Sequence, residues 1–220
     1  MMDVQVCWIC GAGDFTARLF SPKSGDLIIA ADGGLAYLKE RTLKPDYIVG
    51  DFDSLGYEPE GDCVAAYPPE KDDTDMLLAV KYGLARGYRD FCIYGGLGGR
   101  LSHTMANLQV LNFLRNQGCH AILIDGGSIM TMIHNETLHF DADCKGILSV
   151  FAQNEDARGV TIENLKYCIE NEELSAEYPL GVSNEFIGKA GRITVEDGTL
   201  LIIWESKKSD FNKWHFEEEY

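Results

Sequence analysis

The sequence predicts an α/β chain in two parts, a largely parallel sheet with helices on both faces followed by a smaller antiparallel β domain. Three observations predict it. Short apolar runs alternate with helical patterns as far as about Asp125, the texture changes after Gly126-Gly127, and three acidic clusters each close an apolar run in the first third of the chain. Such alternation builds a parallel sheet whose ligands bind beyond the carboxyl ends of the strands.

Taken in order, strands are predicted at Val4–Cys10, Leu27–Ala31, Tyr47–Gly50, Cys63–Tyr67, Phe91–Tyr94 and Ala121–Asp125. Helical patterns fall between them at Phe15–Phe20, Leu35–Arg41, Thr74–Arg86 and Arg100–Asn116. Beyond Gly127 come short β runs at Ser128–His134, Thr137–Phe140, Gly146–Phe151, Gly159–Ile162, Arg192–Glu196 and Thr199–Trp204, broken by turns such as Asp197-Gly198. These read as an antiparallel sandwich or barrel over residues 127–204, and residues 1–126 as a Rossmann-like unit. The tail, 205–220, is charged, with Trp214 and Phe216 as its sizeable anchors, either frayed or docked on a partner.

Composition narrows the partners. With 19 basic and 35 acidic residues the net charge is −16, which argues against nucleic acid or an anionic membrane as a partner. An acidic protein still binds a nucleotide that arrives with a divalent cation, and it favours a cationic second substrate. No apolar run approaches the ~20 residues of a transmembrane helix, and Met1-Met2-Asp3-Val4 lacks the features of a signal peptide. Seven scattered cysteines fit reduced thiols in a cytoplasm. Cys7 and Cys10 have redox or zinc spacing, but residues three apart on a strand face opposite sides, so both read as buried core.

The acidic clusters carry the chemistry. Asp32 lies in Ala31-Asp32-Gly33-Gly34, Asp51 and Asp53 in Gly50-Asp51-Phe52-Asp53-Ser54, and Asp72, Asp73 and Asp75 in Lys71-Asp72-Asp73-Thr74-Asp75. Carboxylates gathered at strand ends repel one another unless a cation sits among them. Magnesium takes one or two carboxylates, keeps several waters and shares the rest with substrate phosphates. A magnesium site serving a phosphorylated substrate is therefore expected. The Lys71 cluster also opens a helix, so Asp72 or Asp73 can serve as its cap. Leu77, Val80 and Leu84 would form its buried stripe, and Gly87 would end it. Asp75, in the first turn, gains from the helix dipole whether or not it binds metal.

A glycine turn, Gly95-Gly96-Leu97-Gly98-Gly99-Arg100, follows a strand and opens a helix, where backbone N–H groups suit a phosphate. In that helix Leu101, Met105, Leu108 and Leu111 form an apolar stripe, with Arg100, His103 and Asn107 together on another face. Arg100 reads as a phosphate contact ahead of a surface ion pair. For His103 a structural hydrogen bond and a substrate contact stay equally open.

Together these residues resemble the thiamine pyrophosphokinase (thiamine diphosphokinase) family. The resemblance runs from about Cys10 to Trp204 on the three acidic motifs, Gly98-Gly99-Arg100 with His103 and Asn107, and then Thr161, Lys166-Tyr167 and Ser183-Asn184-Glu185. One position departs from it: Ser102 stands where the family usually has aspartate, so no charged role is carried onto it.

The resemblance implies transfer of pyrophosphate from ATP to the hydroxyl of thiamine, giving thiamine diphosphate and AMP. It implies an ATP- and magnesium-binding catalytic domain over 1–126, a β domain over 127–204 for thiamine binding and dimerisation, and a homodimer with shared sites. It places Asp51, Asp53 and Asp75 on magnesium, and Lys71 and Arg100 with them in catalysis. It places Asp32, Gly33, Asp53, Ser54, Thr74, Gly98, Gly99, Arg100 and Asn107 around ATP, and Asp72, Thr74, His103, Thr161, Tyr167, Ser183 and Asn184 around thiamine or the nucleotide edge. Asp53 and Asp75 are both open as the base for the hydroxyl proton. Tyr167 is either the ring laid against thiamine or a core aromatic. Two rivals are a metal-dependent glycosyltransferase, which also uses an Asp-x-Asp pair, and a non-enzymatic thiamine or nucleotide regulator. The first leaves the Lys71 cluster unexplained, and the second would be expected to have lost its acidic ligands.

Overall fold

The computed structural model describes residues 4–16, 19–53, 55–68, 70–205 and 214–216. The chain divides into two compact units, Met1–Gly126 and Gly127–Tyr220. The fold is mixed α/β, rich in strands and poor in helices.

The first unit runs β1 (Val6–Cys10), β2 (Leu27–Ala31), α1 (Gly34–Glu40), β3 (Tyr47–Gly50), β4 (Val64–Ala66), α2 (Asp75–Ala85), β5 (Asp90–Tyr94), α3 (Leu101–Asn116) and β6 (His120–Ile124). Its strands lie in the order β6-β5-β1-β2-β3-β4, every pair parallel. The chain steps outward from β1 to β4, then returns to place β5 on the other side of β1. Crevices form at such a reversal, beyond the carboxyl ends of the strands. The central strands are buried along almost their whole length, Cys7 and Cys10 included, and burial pushes both thiols well above the usual range. All seven cysteines are free thiols.

Three expectations for this unit are corrected. In the predicted helix Phe15–Phe20 no described residue is helical, and Leu19 has φ 65°. So short a stretch has little helical stability of its own, and Phe15 and Phe20 instead join Trp8, Tyr37 and Tyr94 in an aromatic cluster. In α2 the cap is Thr74, whose side chain accepts from Leu77 N, while Asp73 pairs with Lys81. Its buried face is Met76, Ala79, Val80 and Gly83 rather than Leu77, Val80 and Leu84. The small residues win because a Cβ on Gly83 would lie 2.8 Å from Cys7 Sγ and 2.9 Å from the Phe91 ring, so the helix sits close on the sheet. In α3, Leu101 and Met105 are exposed at 75% and 56%, and the buried face is Asn107, Val110, Leu111 and Leu114.

The second unit contains β7 (Ser128–His134), β8 (Thr137–Phe140), β9 (Ile147–Glu163), β10 (Ile169–Leu174), β11 (Asn184–Glu185), β12 (Gly191–Thr194), β13 (Asp197–Glu205) and β14 (Trp214–Phe216). All pairs are antiparallel, in the order β7-β13-β9-β12-β8-β14, with β10 and β11 also on β9. The two predicted runs at Gly146–Phe151 and Gly159–Ile162 are one strand, β9. Its first half pairs with β13 and its second half with β12, across an irregularity at Asn154, where φ is 66°. Strand β10 was not predicted because its sequence, IENEEL, is acidic and mostly exposed; backbone pairing to β9 holds it. In the tail, β14 pairs with β8 of its own unit. Among the described residues no helix is long and apolar enough to cross a membrane.

Candidate active site

Two glycine loops meet at the reversal point. Strand β1 delivers Gly11-Ala12-Gly13-Asp14 and β5 delivers Gly95 to Gly99. They are laced by Gly11 N to Tyr94 O (2.7 Å), Gly13 N to Gly95 O (2.8 Å) and Asp14 N to Leu97 O (2.9 Å). Gly95 has φ 62°, and a Cβ there would lie 2.3 Å from Gly11 O, so only glycine fits. Buried Asn107 donates to Gly96 O at 2.6 Å and fixes the second loop from α3. The Gly11–Asp14 loop escaped the sequence reading, although a Gly-x-Gly turn directly after a strand is the signal that could have found it.

The acidic loops close the other side. Asp32 follows β2 with φ 49°. After β3, Phe52 also adopts a left-handed backbone, φ 61°, while its ring is 3% exposed. Such strain persists only where surrounding structure holds it, and the buried ring is the anchor between two site carboxylates. Asp53 N donates to Asp51 Oδ1 at 3.3 Å. Carboxylate oxygens of Asp32, Asp51 and Asp53 come within 4.8 Å of one another. This all-oxygen donor set suits a hard divalent cation.

The carboxylates that lie closest together are Asp32, Asp51 and Asp53, while Asp75, expected on magnesium with Asp51 and Asp53, lines the same cavity. Asp75 meets Lys71, whose Nζ lies 2.8 Å from Asp75 Oδ1 and 3.6 Å from Asp51 Oδ2. Burial pushes the Asp75 carboxyl up, Lys71 pulls it back, and Asp51 and Asp32 push it up again, leaving it raised. Burial alone would lower the Lys71 ammonium; the hydrogen bonds and charges of Asp75 and Asp51 outweigh that and hold it above its ordinary value.

A cavity of about 510 Å³ joins these loops. Asp32, Asp51, Asp53, Lys71, Asp72, Thr74, Asp75, Gly98, Gly99, Arg100, His103 and Asn107 all line it, with Gly11 to Gly13 added by the structure. Gly33 does not line it, and Ser54 lies outside the described residues. Thr161, Tyr167, Ser183 and Asn184 belong to the second unit and have their own arrangement. Asn184, 5% exposed, clamps the Tyr167 backbone, accepting from its N (3.0 Å) and donating to its O (2.7 Å). Tyr167 itself is 60% exposed, so it is no core aromatic. Thr161 Oγ1 accepts from Asn171 N, and Ser183, with φ 62°, donates its N–H to Ser149 Oγ.

Comparison with known proteins decides the family. Residues 21–123 match the family "Thiamin pyrophosphokinase, catalytic domain" and residues 135–200 match "Thiamin pyrophosphokinase, vitamin B1 binding domain". The chain belongs to the thiamine pyrophosphokinase family. It is 28% identical over 184 residues to the thiamine pyrophosphokinase of Bacillus subtilis (strain 168), covering 80% of this chain and 86% of the relative. The crystal structure of thiamine pyrophosphokinase from Bacillus subtilis superposes with a TM-score of 0.82 at 25% identity, over 92% of this chain and 100% of that one. A thiamin pyrophosphokinase family protein from Enterococcus faecalis gives a TM-score of 0.77 at 27% identity, over 92% and 99%. As a thiamine pyrophosphokinase family member, the chain joins a catalytic segment bearing the three acidic motifs and the Gly95–Gly99 turn of the cavity to a vitamin B1 segment containing Thr161, Tyr167, Ser183 and Asn184.

Proposed function

We propose that the protein transfers a pyrophosphoryl group from ATP to the hydroxyl of thiamine, releasing thiamine diphosphate and AMP. The observation that carries this reading is the single cavity in which a glycine turn at a helix start faces a carboxylate triad. Asp32, Asp51 and Asp53 would hold magnesium, with Asp75 beside them; bound there, the ion would neutralise charge on the phosphate oxygens. The N–H groups of the Gly98-Gly99 turn and the guanidinium of Arg100 bind and orient the triphosphate, with Thr74 along the nucleotide. Lys71 neutralises charge near the β-phosphate. A carboxylate of the acidic wall takes the hydroxyl proton as the oxygen attacks. Orientation of this kind is where phosphoryl-type transfer gains most of its rate. Asp72 and His103 of one chain and the second-unit residues of the other chain of the dimer would contact thiamine, whose cation suits the exposed face of Tyr167.

The finer architecture supports the same reading. We read the first unit as Rossmann-like, because its strand order reverses between β1 and β5, and right-handed crossovers then put α1 on one face and α2 and α3 on the other. The second unit reads as a sandwich in which β9 bends from one sheet into the next. A cytoplasmic homodimer with shared sites completes the proposal. Seven free thiols support the compartment, and the resemblance supports the assembly.

The test is to incubate the protein with ATP, magnesium and thiamine and identify the products. AMP and thiamine diphosphate in equal amounts are expected. ADP with thiamine monophosphate would overturn pyrophosphoryl transfer, and no thiamine-dependent turnover would favour a regulator. For assembly, light scattering should give a dimer, and mixing Asp51→Asn with Tyr167→Ala should restore activity through one intact mixed site. A fully active monomer refutes the shared site.

A further inference from the structure

One face of the second unit carries a row of four polar side chains. His215 on β14 lies opposite His139 on β8, His139 opposite Arg192 on β12, and Arg192 opposite Glu163 on β9. Directly opposed residues of antiparallel strands project from the same face of the sheet. At one end Arg192 is ion-paired with Glu163, which draws the guanidinium toward β9 and balances its charge. At the other end the rings of His139 and His215 stack, centroids 4.9 Å apart and planes 7° apart. His139 is half-buried and His215 exposed.

We propose that His139 and His215 bind one late transition cation, of the zinc, nickel or copper class, and thereby staple β14 to β8. Neutral imidazole is the commonest metal ligand and suits these cations, whereas magnesium prefers oxygen. A nitrogen-to-metal bond of about 2.0–2.1 Å requires the two ring nitrogens to come within about 4 Å. Rings already stacked at 4.9 Å reach that spacing by rotation about their own side-chain bonds. The strand register has already fixed both backbones, so chelation calls for side-chain rotation without backbone rearrangement. Strand β14 has three residues and pairs with β8, so a metal crosslink at its central residue holds the whole strand in place. The formal charge of −16 further favours a cation.

The probe is zinc chloride, titrated calorimetrically into the full-length protein with magnesium present in excess. One equivalent is expected to bind, with His139→Ala and His215→Ala each weakening zinc at least tenfold and Asp51→Asn leaving it unchanged. The imidazole NMR signals of both histidines should move together on zinc addition. Zinc should also slow carboxypeptidase trimming of the wild-type C-terminus and leave His215→Ala unprotected. His215→Asn serves as a polar control, and unaltered thiamine-dependent turnover shows that both His215 variants are folded. Equal zinc affinity in wild type and both histidine variants overturns the proposal, as does loss of zinc binding in Asp51→Asn with retention in His215→Ala.

Discussion

The Lys71 ammonium stands between two acidic loops, 2.8 Å from Asp75 and 3.6 Å from Asp51. It thus serves as an internal counter-ion beside the carboxylate triad, tying the start of α2 to the end of β3. Removing it leaves Asp75 and Asp51 repelling one another.

Lys71→Ala should therefore destabilise the magnesium-free protein, by about 1.5 kcal/mol for a charged hydrogen bond, or roughly 3–6 °C in melting temperature at this size. Magnesium should recover more of that loss in the variant than it adds to the wild type. Melting curves with and without magnesium check this; equal curves for variant and wild type refute the counter-ion role.

The second prediction separates two triads. If Asp32, Asp51 and Asp53 hold the metal, Asp32→Asn should weaken magnesium as strongly as Asp51→Asn, lowering turnover about 100-fold at ~1.4 kcal/mol per factor of ten. Asp75→Asn should have the smaller effect on magnesium affinity. Turnover measured across a magnesium titration decides it, and the reverse ranking would restore Asp75 to the ligand set.

The glycines of the turn divide by role. A Cβ on Gly95 would strike Gly11 O at 2.3 Å, whereas nothing lies within 4 Å of one on Gly99, although both have positive φ, 62° and 63°. Gly95→Ala should lower folded yield or stability severely. Gly99→Ala should cost only the left-handed backbone, about 1 kcal/mol, and act mainly through the Michaelis constant for ATP. Thermal melts and ATP kinetics on both variants test the division.

In the second unit, Asn184 and Tyr167 form one device. Tyr167→Ala should weaken thiamine use about 2- to 30-fold, from a cation–π contact of roughly 0.5–2 kcal/mol, with little loss of stability because the ring is exposed. Asn184→Ala should weaken thiamine use too, but also lower the melting temperature, since it leaves the part-buried N–H and C=O of Tyr167 without their partners. Tyr167→Trp should keep or improve binding. An unaltered thiamine constant in Tyr167→Ala refutes the stacking role.

By itself the sequence determined the two-part order of elements, the division near Gly126, the three acidic loops and the glycine turn. These were legible because they are local: an apolar run followed by Asp and Gly marks a strand end whatever lies beside it, and every strand predicted in the first unit formed. Even so, helix faces were misread in α2 and α3. A periodic pattern tells which residues share a side, but small residues such as Ala79 and Gly83 are buried only because a neighbouring sheet comes close.

Tertiary structure alone decided which carboxylates meet. Asp32 and Asp51 end adjacent parallel strands, so β2–β3 register brings their oxygens together with Asp53, whereas Asp75 is carried into α2 and held by Lys71. It likewise set the Gly11 loop against Gly95, the clamp of Asn184 on Tyr167 and the stack of His139 on His215. The physical reason is common to them: apart from the local pairs Lys71–Asp75 and Asp51–Asp53, these contacts join residues 17 to 83 positions apart, and strand pairing, which no local pattern encodes, fixes the distances.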